Sequence, residues 1–600
     1  MKFLRELFSV LDRKEKIHFL SLQLLIIFTV FFEVTGVTLI LPFTSMIGDP
    51  SILDRENMLS AAYNILGFAS HNEFIIFSGV LILVFLFLGA IIGILTSYRV
   101  AIFASSIGVN MGSKLYQYYL GREWTFHIET NSSELIKKIS TECQRLIEYV
   151  LIPLMQLNSR ILLAFTILVL LLVINPQVAL SGFAVFSIFY LILFSIVRKI
   201  VSRNGQVVSD KFSERYKVMI EGFGGIKELL ILGRADFFYR QFEEAGSELA
   251  KNIGTNQALV NSPRYLVEFL AFSSVIVLIL YLSALYSNEL SQMLPIISIY
   301  AVSALKLLPA LQGVYGGFTS ISANMAAFNA VKDDLLSAAQ IASLEANSSE
   351  EVLKLNSSID LKNVTYSYPN QNELALENLT VSLPANKLIG IVGPTGSGKS
   401  TIVDLILGLL QPQSGEIRVD GKSLTPMNLR SWQNNIGYVP QSSYLSDTSF
   451  AENIAFGIKM NLIDMSLVKA SSEIAMIDEY ILGLKDQYFS IVGEQGVQMS
   501  GGQKQRVSIA RALYHQPDFL VLDEATSALD GITEKKLMEA IIELSSEKTI
   551  LMIAHKLNTV KNCDIILFID NGKLNDIGTF DGMLASNPDF HNFVNAVWKS

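Results

Sequence analysis

Long apolar runs separated by polar segments fill the first half of the chain, whereas the second half carries only short apolar runs. The long runs reach the length at which a helix crosses a hydrocarbon core of ~30 Å. The sequence therefore predicts six membrane-spanning helices, at residues 18–43, 74–98, 148–174, 177–197, 264–284 and 292–316. The first run is too long for the apolar part of a cleavable signal peptide, and no small-residue cleavage site follows it.

The segments that connect these runs differ in charge. Lys and Arg are frequent in the N-terminal segment and in residues 99–147 and 198–251, whereas the loop after the first span is acidic. Basic residues accumulate on the cytosolic side of a membrane, so we expect both termini to face the cytosol. Half of the 600 residues are hydrophobic and 17% are charged, a composition too apolar for an ordinary soluble protein.

Charge and cysteine content argue against two further classes of function. The net charge is −9, and the chain has no basic stripe or aromatic-interleaved basic patch, so nucleic-acid binding is not expected. Cys143 and Cys563 are the only cysteines. Both fall on the predicted cytosolic side, where thiols stay reduced, so a disulfide framework or a zinc site is not expected either.

A polar segment, EANSSEEVLKLNSS, separates the two halves of the chain. From Ile359 onward, short β-rich runs alternate with helical patterns, which is typical of an α/β domain with a largely parallel sheet. We expect an α-helical membrane domain at residues 1–340, a linker at 341–358 and an α/β domain at 359–600.

A glycine-rich stretch, GPTGSGKST, stands between the apolar run LIGIV and a helical pattern. This strand–loop–helix order matches a P-loop, in which glycines let backbone N–H groups wrap phosphates at a helix N-terminus. Lys399 would reach the β- and γ-phosphates of ATP, and Ser400 would hold Mg²⁺. The nucleotide-binding residues predicted here are Gly393, Pro394, Thr395, Gly396, Ser397, Gly398, Lys399, Ser400 and Thr401.

Two adjacent carboxylates close the apolar run FLVLDE at 519–524. An acidic pair at a strand end is ordinary surface in most proteins, but this one follows a P-loop by ~120 residues. In that position Asp523 suits the placement of Mg²⁺, and Glu524 suits the orientation or deprotonation of the attacking water.

The segment MSGGQKQRVSIARAL at 499–513 resembles the signature motif of ATP-binding cassette (ABC) ATPases. The usual form begins with Leu where this chain has Met499, and the next four residues match: Ser500, Gly501, Gly502 and Gln503. Other motifs of the family are present as well. The adenine-stacking aromatic, the Q-loop glutamine, the D-loop aspartate and the switch histidine are matched by Tyr368, Gln441, Asp530 and His555.

This resemblance implies roles for the matched residues and a partner for the chain. Gln441 would help to hold Mg²⁺ and would act in catalysis with His555, while Asp530 and the signature residues would contact nucleotide. In the family, the signature helix contacts the γ-phosphate held by the P-loop of the other protomer. The working unit is therefore expected to be a dimer, and the intact motifs permit a homodimer with two ATP sites.

Six spans followed by one cassette is the layout of an ABC half-transporter of the exporter type. The long cytosolic segments are expected to extend the membrane helices and to carry elements that couple them to the ATPase. The candidate coupling elements are FHIETNSSELIKKIS at 126–140 and EGFGGIKELLILGRADFF at 221–238. In the first of these, the triplet Thr130-Asn131-Ser132 predicts a helix start.

Charged residues inside the predicted spans mark functional sites or buried partners, because ionisable groups are costly in hydrocarbon. These residues are Glu33, Arg160, Arg264, Glu268 and Lys306. Counted at 1.5 Å per residue, Glu268 lies at a depth where it could neutralise Arg160 or Lys306. The alternative is a cavity with a positive inner half, made by Arg160, Arg264 and Lys306, that binds a phosphate or pyrophosphate head group.

The membrane half also resembles ABC exporters that flip lipid-linked oligosaccharides, through the stretches VTGVTLILPF, GREWTFHIETNSSELIKKIS and EGFGGIKELLILGR. Apolar residues in ILDRENMLSAAYNILGF at 52–68 approximate helical spacing. They fit either the external amphipathic helix of that group or a loop packed on the membrane helices. The resemblance implies ATP-driven flipping of a polyprenyl-pyrophosphate oligosaccharide across a bacterial inner membrane.

Other functions compete with this interpretation. A broad-specificity lipid or drug exporter would have a cavity rich in aromatic residues and poor in charge. A peptide exporter commonly carries an N-terminal peptidase or leader-binding domain, whereas only ~17 residues precede the first span here. A channel or regulator is disfavoured by Glu524 and His555, which indicate ATP turnover.

Overall fold

The computed structural model describes residues 2–55, 58–174, 176–285, 290–341, 353–369, 373–526, 529–554 and 556–598. Contacts divide the chain into two compact units. The first comprises Met1–Arg122 and Glu129–Glu345, and the second comprises Glu123–Ile128 and Ala346–Ser600. Most of the expected linker lies outside the described residues, so the domain boundaries expected from the sequence remain a prediction.

Helices form the first unit. In chain order they are α1 (Lys2–Val10), α2 (Arg13–Gly48), α3 (Met58–Leu66), α4 (His71–Leu120), α6 (Ser132–Lys137), α7 (Cys143–Leu146), α8 (Ile152–Ile174), α9 (Pro176–Gly224), α10 (Ile226–Leu232), α11 (Ala235–Asn261), α12 (Pro263–Leu285) and α13 (Leu290–Ile341). The short helix α5 (Trp124–Glu129) belongs, except for Glu129, to the second unit. A 3-10 turn at Pro50–Asp54 precedes α3, and π-helical turns at Lys138–Glu142 and Ile147–Leu151 flank α7.

All six predicted spans fall within helices that extend beyond them, and in the part of the chain that the structure describes, five of these helices meet the length and hydropathy needed to cross a membrane. Within the described residues, the helices long and apolar enough to cross a membrane are Arg13–Gly48, His71–Leu120, Ser132–Ile174, Ala179–Gly224 and Ile297–Ala339. The remaining predicted span, 264–284, lies within α12. Helix α4 has 50 residues and α9 has 49, more than the roughly 20 that cross a bilayer. The long segments that the sequence places in the cytosol thus continue the membrane helices, as predicted.

Small and hydroxyl-bearing residues hold these helices together, as expected where lipid removes the hydrophobic drive for helix association. The hydroxyls of Thr29 on α2 and Thr96 on α4 form a buried hydrogen bond of 2.7 Å. A Cβ atom at Gly205 of α9 would lie 1.9 Å from the carbonyl oxygen of Ala323 on α13. Helices α9 and α13 approach this closely only because position 205 lacks a side chain.

A buried ionic cluster links α9 and α13 to the π-helical turn before α7. Glu142 is fully buried and accepts hydrogen bonds from Arg145, at 2.8 Å, and from Ser209 of α9. Arg145 also donates to the Asn324 side-chain oxygen of α13, at 3.2 and 3.3 Å. Because the charges are paired and hydrogen-bonded, their burial is tolerated, and the three segments are fixed to one another.

The second unit combines two sheets. Its strands are β1 (Ser358–Tyr366), β2 (Leu376–Pro384), β3 (Leu388–Val392), β4 (Ser414–Val419), β5 (Lys422–Ser423), β6 (Ile436–Val439), β7 (Phe519–Asp523), β8 (Thr549–Ile553), β9 (Ile565–Asp570) and β10 (Lys573–Gly578). Its helices are α14 (Lys399–Ile406), α15 (Leu429–Gln433), α16 (Phe450–Ile454), α17 (Met465–Ile474), α18 (Asp478–Leu482), α19 (Gly501–Tyr514), α20 (Gly531–Leu544), α21 (Leu557–Lys561), α22 (Phe580–Ser586) and α23 (Pro588–Trp598).

The larger sheet has the strand order β10-β9-β3-β8-β7-β6. Its strands from β9 to β6 are parallel, and β10 pairs antiparallel with β9. The smaller sheet, β2-β1-β4-β5, is antiparallel. The central strands β3 and β8 are buried along their whole length, as expected for a parallel sheet covered on both faces. The carboxyl ends of β3, β6 and β7 therefore meet at one edge, where the predicted motifs follow them.

Candidate functional site

The predicted P-loop occupies the connection between β3 and α14. Gly398 has φ +99° and Gly393 has φ +155°, both in the region that favours glycine. A Cβ atom at Gly393 would stand 2.0 Å from the carbonyl oxygen of Ile569, and one at Gly398 would stand 2.7 Å from that of Ala375. Only glycines allow the loop to close this tightly against its neighbours before α14 begins.

Lys399, the first residue of α14, is buried within this loop. Its Nζ donates hydrogen bonds to the carbonyl oxygens of Gly393, at 2.9 Å, and Pro394, at 2.7 Å. Burial lowers the pKa of the Lys399 ammonium, and the negative charges of Glu524 and Asp523 oppose this shift. The lysine therefore lies in the electrostatic range of both predicted acidic residues.

The loop has the properties that a bound triphosphate requires. The Ser397 hydroxyl is buried and, among the described residues, has no hydrogen-bond partner. Gly396 has φ +80° and open space where a Cβ atom would stand, and Thr395 and Ser400 are exposed. Tyr368 lies beside the loop, with its hydroxyl 3.2 Å from that of Thr401. Backbone N–H groups at this helix N-terminus favour an anion, so the residues present fit the phosphates of ATP.

The acidic pair stands at the carboxyl end of β7. Glu524 has φ +50°, a left-handed conformation that is uncommon for a residue with a side chain. Asp404 on α14 lies close enough to Asp523 to feel its charge: burial raises the Asp404 pKa to about 6, and the charge of Asp523 adds to the shift. Burial also raises the pKa of Tyr438 to about 12, and the charges of Asp523 and Asp404 add to that shift.

Gln441 reaches the same edge of the sheet. Strands β6 and β7 are parallel, with Val439 opposite Leu522, so Gln441 and Asp523 both follow this pair by one or two residues. Gln441 is exposed. A hydroxyl from Ser400, an amide oxygen and a carboxylate are donors that Mg²⁺ accepts, so these three residues fit the predicted metal position.

The signature residues form the start of α19. The Ser500 hydroxyl accepts a hydrogen bond from the Gln503 backbone N–H at 3.2 Å, and the Gln503 side chain accepts one from the Ser500 N–H at 2.8 Å. This reciprocal capping box fixes the helix end. Ser500 and Gly501 are exposed and Gly502 is half-buried, so the helix N-terminus is accessible to an anion.

Of the two remaining motif residues, Asp530 and His555, the structure describes only the first. Asp530 is the N-cap of α20 and accepts a hydrogen bond of 3.0 Å from the Thr533 N–H, which lowers the Asp530 pKa. His555 lies outside the described residues. Its neighbour Lys556 donates to the carbonyl oxygen of Thr526 at 3.1 Å and to the carboxylate of Glu534 at 2.8 Å. Lys556 thus ties the chain after β8 to the first turn of α20.

Gln505 is a residue of this site that the sequence pattern did not single out. It is buried on α19, and its side chain donates a hydrogen bond to the Glu524 carbonyl oxygen at 3.0 Å. Its position on the helix could have identified it. Gln505 lies four residues before Ile509 and seven before Ala512, both buried, and residues at these spacings share one face of a helix. A polar residue on that buried face needs a hydrogen-bond partner.

In the membrane unit, Glu268 pairs with a different cation from the two that the sequence suggested. Glu268 does not neutralise Arg160 or Lys306: its carboxylate lies 2.6 Å from Nε of Arg264, one helical turn earlier on α12. Spacing of four residues makes this the nearest available pair. Within the described part of the chain, Arg160, Lys306 and Glu33 form no ion pair, and all three are half-buried.

A cavity of about 1140 Å³ lies between α8, α9, α12 and α13. Its lining is almost entirely apolar and includes the aromatic residues Phe165, Phe183, Phe186, Tyr190, Phe194, Tyr300, Tyr315 and Phe318. Arg160, Arg264 and Lys306 are not among the lining residues. The cavity is suited to hydrocarbon, whereas a charged head group would have to bind outside it.

Comparison with known families accounts for both halves of the chain. Residues 22–305 match the family model described as ABC transporter transmembrane region, and residues 376–527 match the family model described as ABC transporter. The chain belongs to the ABC transporters. It has the layout of an exporter half-transporter, a helical membrane domain fused to a P-loop ATPase, and it couples ATP hydrolysis to transport.

Several curated proteins resemble this transporter. It is 27% identical to an ATP-dependent lipid A-core flippase of Pectobacterium atrosepticum over 510 residues, which cover 82% of this chain and 84% of the relative. It is 38% identical to the flippase of the same name from Photobacterium profundum over 39% of this chain and 40% of that one. The match to ABC transporter B family member 1 of Arabidopsis thaliana is 37% identical and covers 39% of this chain but only 18% of the plant protein.

A solved structure shares the fold of the transporter. The structure of a bacterial Atm1-family ABC exporter with ATP bound matches with a TM-score of 0.77 and 20% identity, over 97% of this chain and 99% of the other. This likeness supports the exporter architecture and carries no information on the cargo.

Proposed function

We propose that the transporter is a homodimeric flippase that moves a lipid-linked, polyprenyl-pyrophosphate oligosaccharide across the bacterial inner membrane at the expense of ATP. The observation that carries this proposal is the pair of cations Arg160 and Lys306, which form no ion pair among the described residues of the membrane unit. Cations without acidic partners are costly inside a membrane and mark a substrate path.

Arg160 of α8 lies against the face of α13 that carries Lys306. Arg160 projects from α8 onto Gly313 of α13, whose Cβ atom would lie 3.1 Å from the arginine Cδ. Lys306 precedes Gly313 by seven residues, which is two helical turns or about 10 Å. A pyrophosphate between them would accept two parallel hydrogen bonds from the guanidinium of Arg160 and would be attracted by the ammonium charge of Lys306. Arg264, although paired with Glu268, is the third candidate for the head group.

The lipid tail has two apolar surfaces available. The cavity between α8, α9, α12 and α13 is lined by hydrocarbon and aromatic rings. Helix α3 packs Leu59, Ala62 and Tyr63 against the ends of α2 and α4 and leaves Met58 and Ile65 exposed by 91% and 83%. An exposed apolar face next to a membrane helix is suited to a polyprenyl chain.

The ATP site is proposed to work through the residues that the sheet edge brings together. The P-loop residues 393–401 hold the phosphates, Tyr368 stacks on adenine, and Glu524 orients and deprotonates the attacking water with help from Gln441 and His555. Ser400, Gln441 and Asp523 hold Mg²⁺, which supplies charge neutralisation for the transferred phosphoryl group.

A second copy is proposed to complete each ATP site and each coupling contact. The exposed N-terminus of α19, with Ser500, Gly501, Gly502 and Gln503, would contact the ATP of the partner, together with Asp530. Helix α10 also needs a partner surface: Leu230, Ile231 and Leu232 are 68 to 75% exposed in the single chain. Contiguous exposed apolar residues mark an interaction surface. Both termini are expected in the cytosol, from the charge of the loops.

The curated relatives support a lipid cargo. Two of them are named as ATP-dependent lipid A-core flippases, so the cargo in their names is a lipid. A lipid cargo agrees with the apolar cavity of the membrane unit and with Arg160 and Lys306, which form no ion pair in the part of the chain that the structure describes.

One observation favours a second candidate, a broad-specificity lipid or multidrug exporter. The cavity in the membrane unit is rich in aromatic residues and lined without the three candidate cations, as expected for an exporter of apolar molecules. The two candidates differ in their use of charge, because only the flippase needs Arg160 and Lys306 for its cargo.

The deciding experiment is translocation in proteoliposomes. A fluorescent polyprenyl-pyrophosphate oligosaccharide is compared with the same lipid carrying a neutral link. If the transporter is the flippase, wild type should move the charged lipid much faster than the neutral one. Arg160→Ala/Lys306→Ala should lose the transport of the charged lipid but still hydrolyse ATP, and Glu524→Gln should be inactive in both the transport and the ATPase assay. The matched control, Lys217→Ala/Arg240→Ala, removes two cations whose side chains are 56 and 76% exposed. Equal transport of both lipids, unaffected by the cation variants, would establish the broad-specificity exporter.

A further inference from the structure

A buried amide joins the signature helix to the carboxylate at the end of β7. Gln505 lies in the second turn of α19 and is only 3% exposed. Its Nε2 donates a hydrogen bond to the backbone oxygen of Glu524 at 3.0 Å. Leaving a buried amide without its acceptor lowers the stability of the fold. This hydrogen bond therefore holds the end of β7 in place relative to α19.

The backbone of Glu524 needs such support. Its φ of +50° lies in the left-handed region, which costs free energy for any residue with a Cβ atom and persists only where the surroundings enforce it. Gln505 restrains the carbonyl group of this same residue. The hydrogen bond therefore acts on the short piece of backbone that sets the direction of the Glu524 side chain.

We propose that Gln505 is a positioning residue that transmits the position of the signature helix to Glu524. Helix α19 is continuous, so Ser500 and Gln505, about 7.5 Å apart along its axis, move together. Engagement of the Ser500 end by nucleotide of the partner would thereby align Glu524 of the same chain for hydrolysis. The inference rests on the proposed function, in which Glu524 activates water and Ser500 contacts the partner's ATP.

The test uses the full-length transporter in proteoliposomes and the steady-state kinetics of ATP hydrolysis. Gln505→Glu is nearly isosteric and removes the N–H donors, and Gln505→Met replaces the amide with an apolar group of similar length. Both are expected to lower kcat about tenfold and to leave KM for ATP within about twofold, because the P-loop is untouched. Ser508→Ala is the matched control: Ser508 is buried on the same helix, 1% exposed, and its loss should leave kcat unchanged.

A double variant separates positioning from general stability. In the Glu524→Gln background the carboxylate is already absent, so adding Gln505→Glu should not reduce the single-turnover rate further. Retention of wild-type kcat by both Gln505 variants overturns the inference. Multiplicative losses in the double variant, or equal losses in Ser508→Ala, also overturn it, because they indicate a helix that is merely weakened.

The same experiment distinguishes failure of this inference from failure of the proposed function. If Glu524→Gln alone hydrolyses ATP at the wild-type rate, the assigned role of Glu524 is wrong. If Glu524→Gln is inactive while the Gln505 variants are normal, only the positioning role of Gln505 is wrong.

Discussion

Arg160 of α8 lies against Gly313 of α13: a Cβ atom built on Gly313 would stand 3.1 Å from both Cγ and Cδ of Arg160 and 3.2 Å from its Nε. Contacts this short are tighter than ordinary van der Waals separations. The glycine therefore provides the space that the arginine side chain occupies beside α13. The position of a charge inside the membrane is set by the absence of a side chain on the neighbouring helix.

The first prediction follows from that space. Gly313→Val should displace Arg160 from α13 and reduce transport of the pyrophosphate lipid roughly 10- to 100-fold, the range expected for losing a charged hydrogen bond. ATP hydrolysis should continue, because the ATPase residues are untouched. The measurement is proteoliposome translocation beside ATPase activity. Gly254→Val is the control, since nothing lies within 4 Å of a Cβ atom at that position; equal losses in both valine variants would contradict the prediction.

The second prediction concerns Glu524. Replacing it by Gln keeps the size of the side chain but removes the base, so ATP hydrolysis should fall about 10²- to 10⁴-fold. Binding of a fluorescent ATP analogue should persist, because the P-loop remains intact. Glu543→Gln, an exposed position on α20, provides the matched control. Loss of nucleotide binding together with hydrolysis would contradict the assigned role, since it would point to a disturbed fold.

The third prediction uses the raised pKa of Asp404. Burial and the charge of Asp523 raise that pKa from its ordinary 3.8 to about 6, so the folded state binds a proton more tightly than the unfolded state. Stability is then lost as pH rises from about 4 through 6. Asp404→Asn removes this loss and should raise the apparent melting temperature of the nucleotide-free transporter by about 2–4 °C at pH 7.5, with no difference near pH 4. A shift that is the same at every pH would contradict it.

Asp420 provides the contrasting control for that measurement. Burial alone would raise its pKa, but hydrogen bonds from the backbone N–H groups of Asn356, Ser357 and Ser358 lower it overall. Its ionised form therefore stabilises the fold above its unfolded pKa, and that contribution is lost as pH falls. Asp420→Asn should lower the melting temperature at pH 7.5 and have a smaller effect at acidic pH, opposite in sign to Asp404→Asn.

The features that sequence alone predicts are those encoded by local pattern. Membrane helices follow from runs of apolar residues, and the P-loop and its flanking strand and helix follow from residues within one short segment. The start of α6 also agrees: Asn131 caps it by accepting a hydrogen bond from the Ser133 N–H at 2.9 Å, within the predicted triplet Thr130-Asn131-Ser132.

The features that sequence does not predict depend on residues far apart in the chain. The contact of Gln505 with Glu524 spans 19 residues and that of Arg160 with Gly313 spans 153 positions, so no local pattern contains either pair. The partner of Glu268 is a different case. Depth along a helix places it near Arg160 and Lys306, but depth ignores direction around the helix, whereas the four-residue spacing to Arg264 puts those two side chains on one face.

The last prediction concerns the exposed face of α3. Met58 and Ile65 are 91 and 83% exposed, while Leu59, Ala62 and Tyr63 on the adjacent side of the helix pack in the cluster around Met46, Leu53 and Phe74. Met58→Ser/Ile65→Ser removes apolar contact area without disturbing that cluster. Transport of a long polyprenyl-pyrophosphate lipid should then fall about fivefold, which corresponds to loss of roughly 40 Å² of apolar contact.

A short-chain analogue with the same head group tests whether this effect belongs to the tail. If α3 binds the tail, the double variant should move the short lipid at the wild-type rate, because that lipid does not reach the helix. ATPase activity without lipid should also be unchanged, since α3 lies in the membrane unit and the hydrolytic residues lie in the other. A similar loss for long and short lipids would instead assign α3 to packing on α2 and α4, where its buried face already contributes.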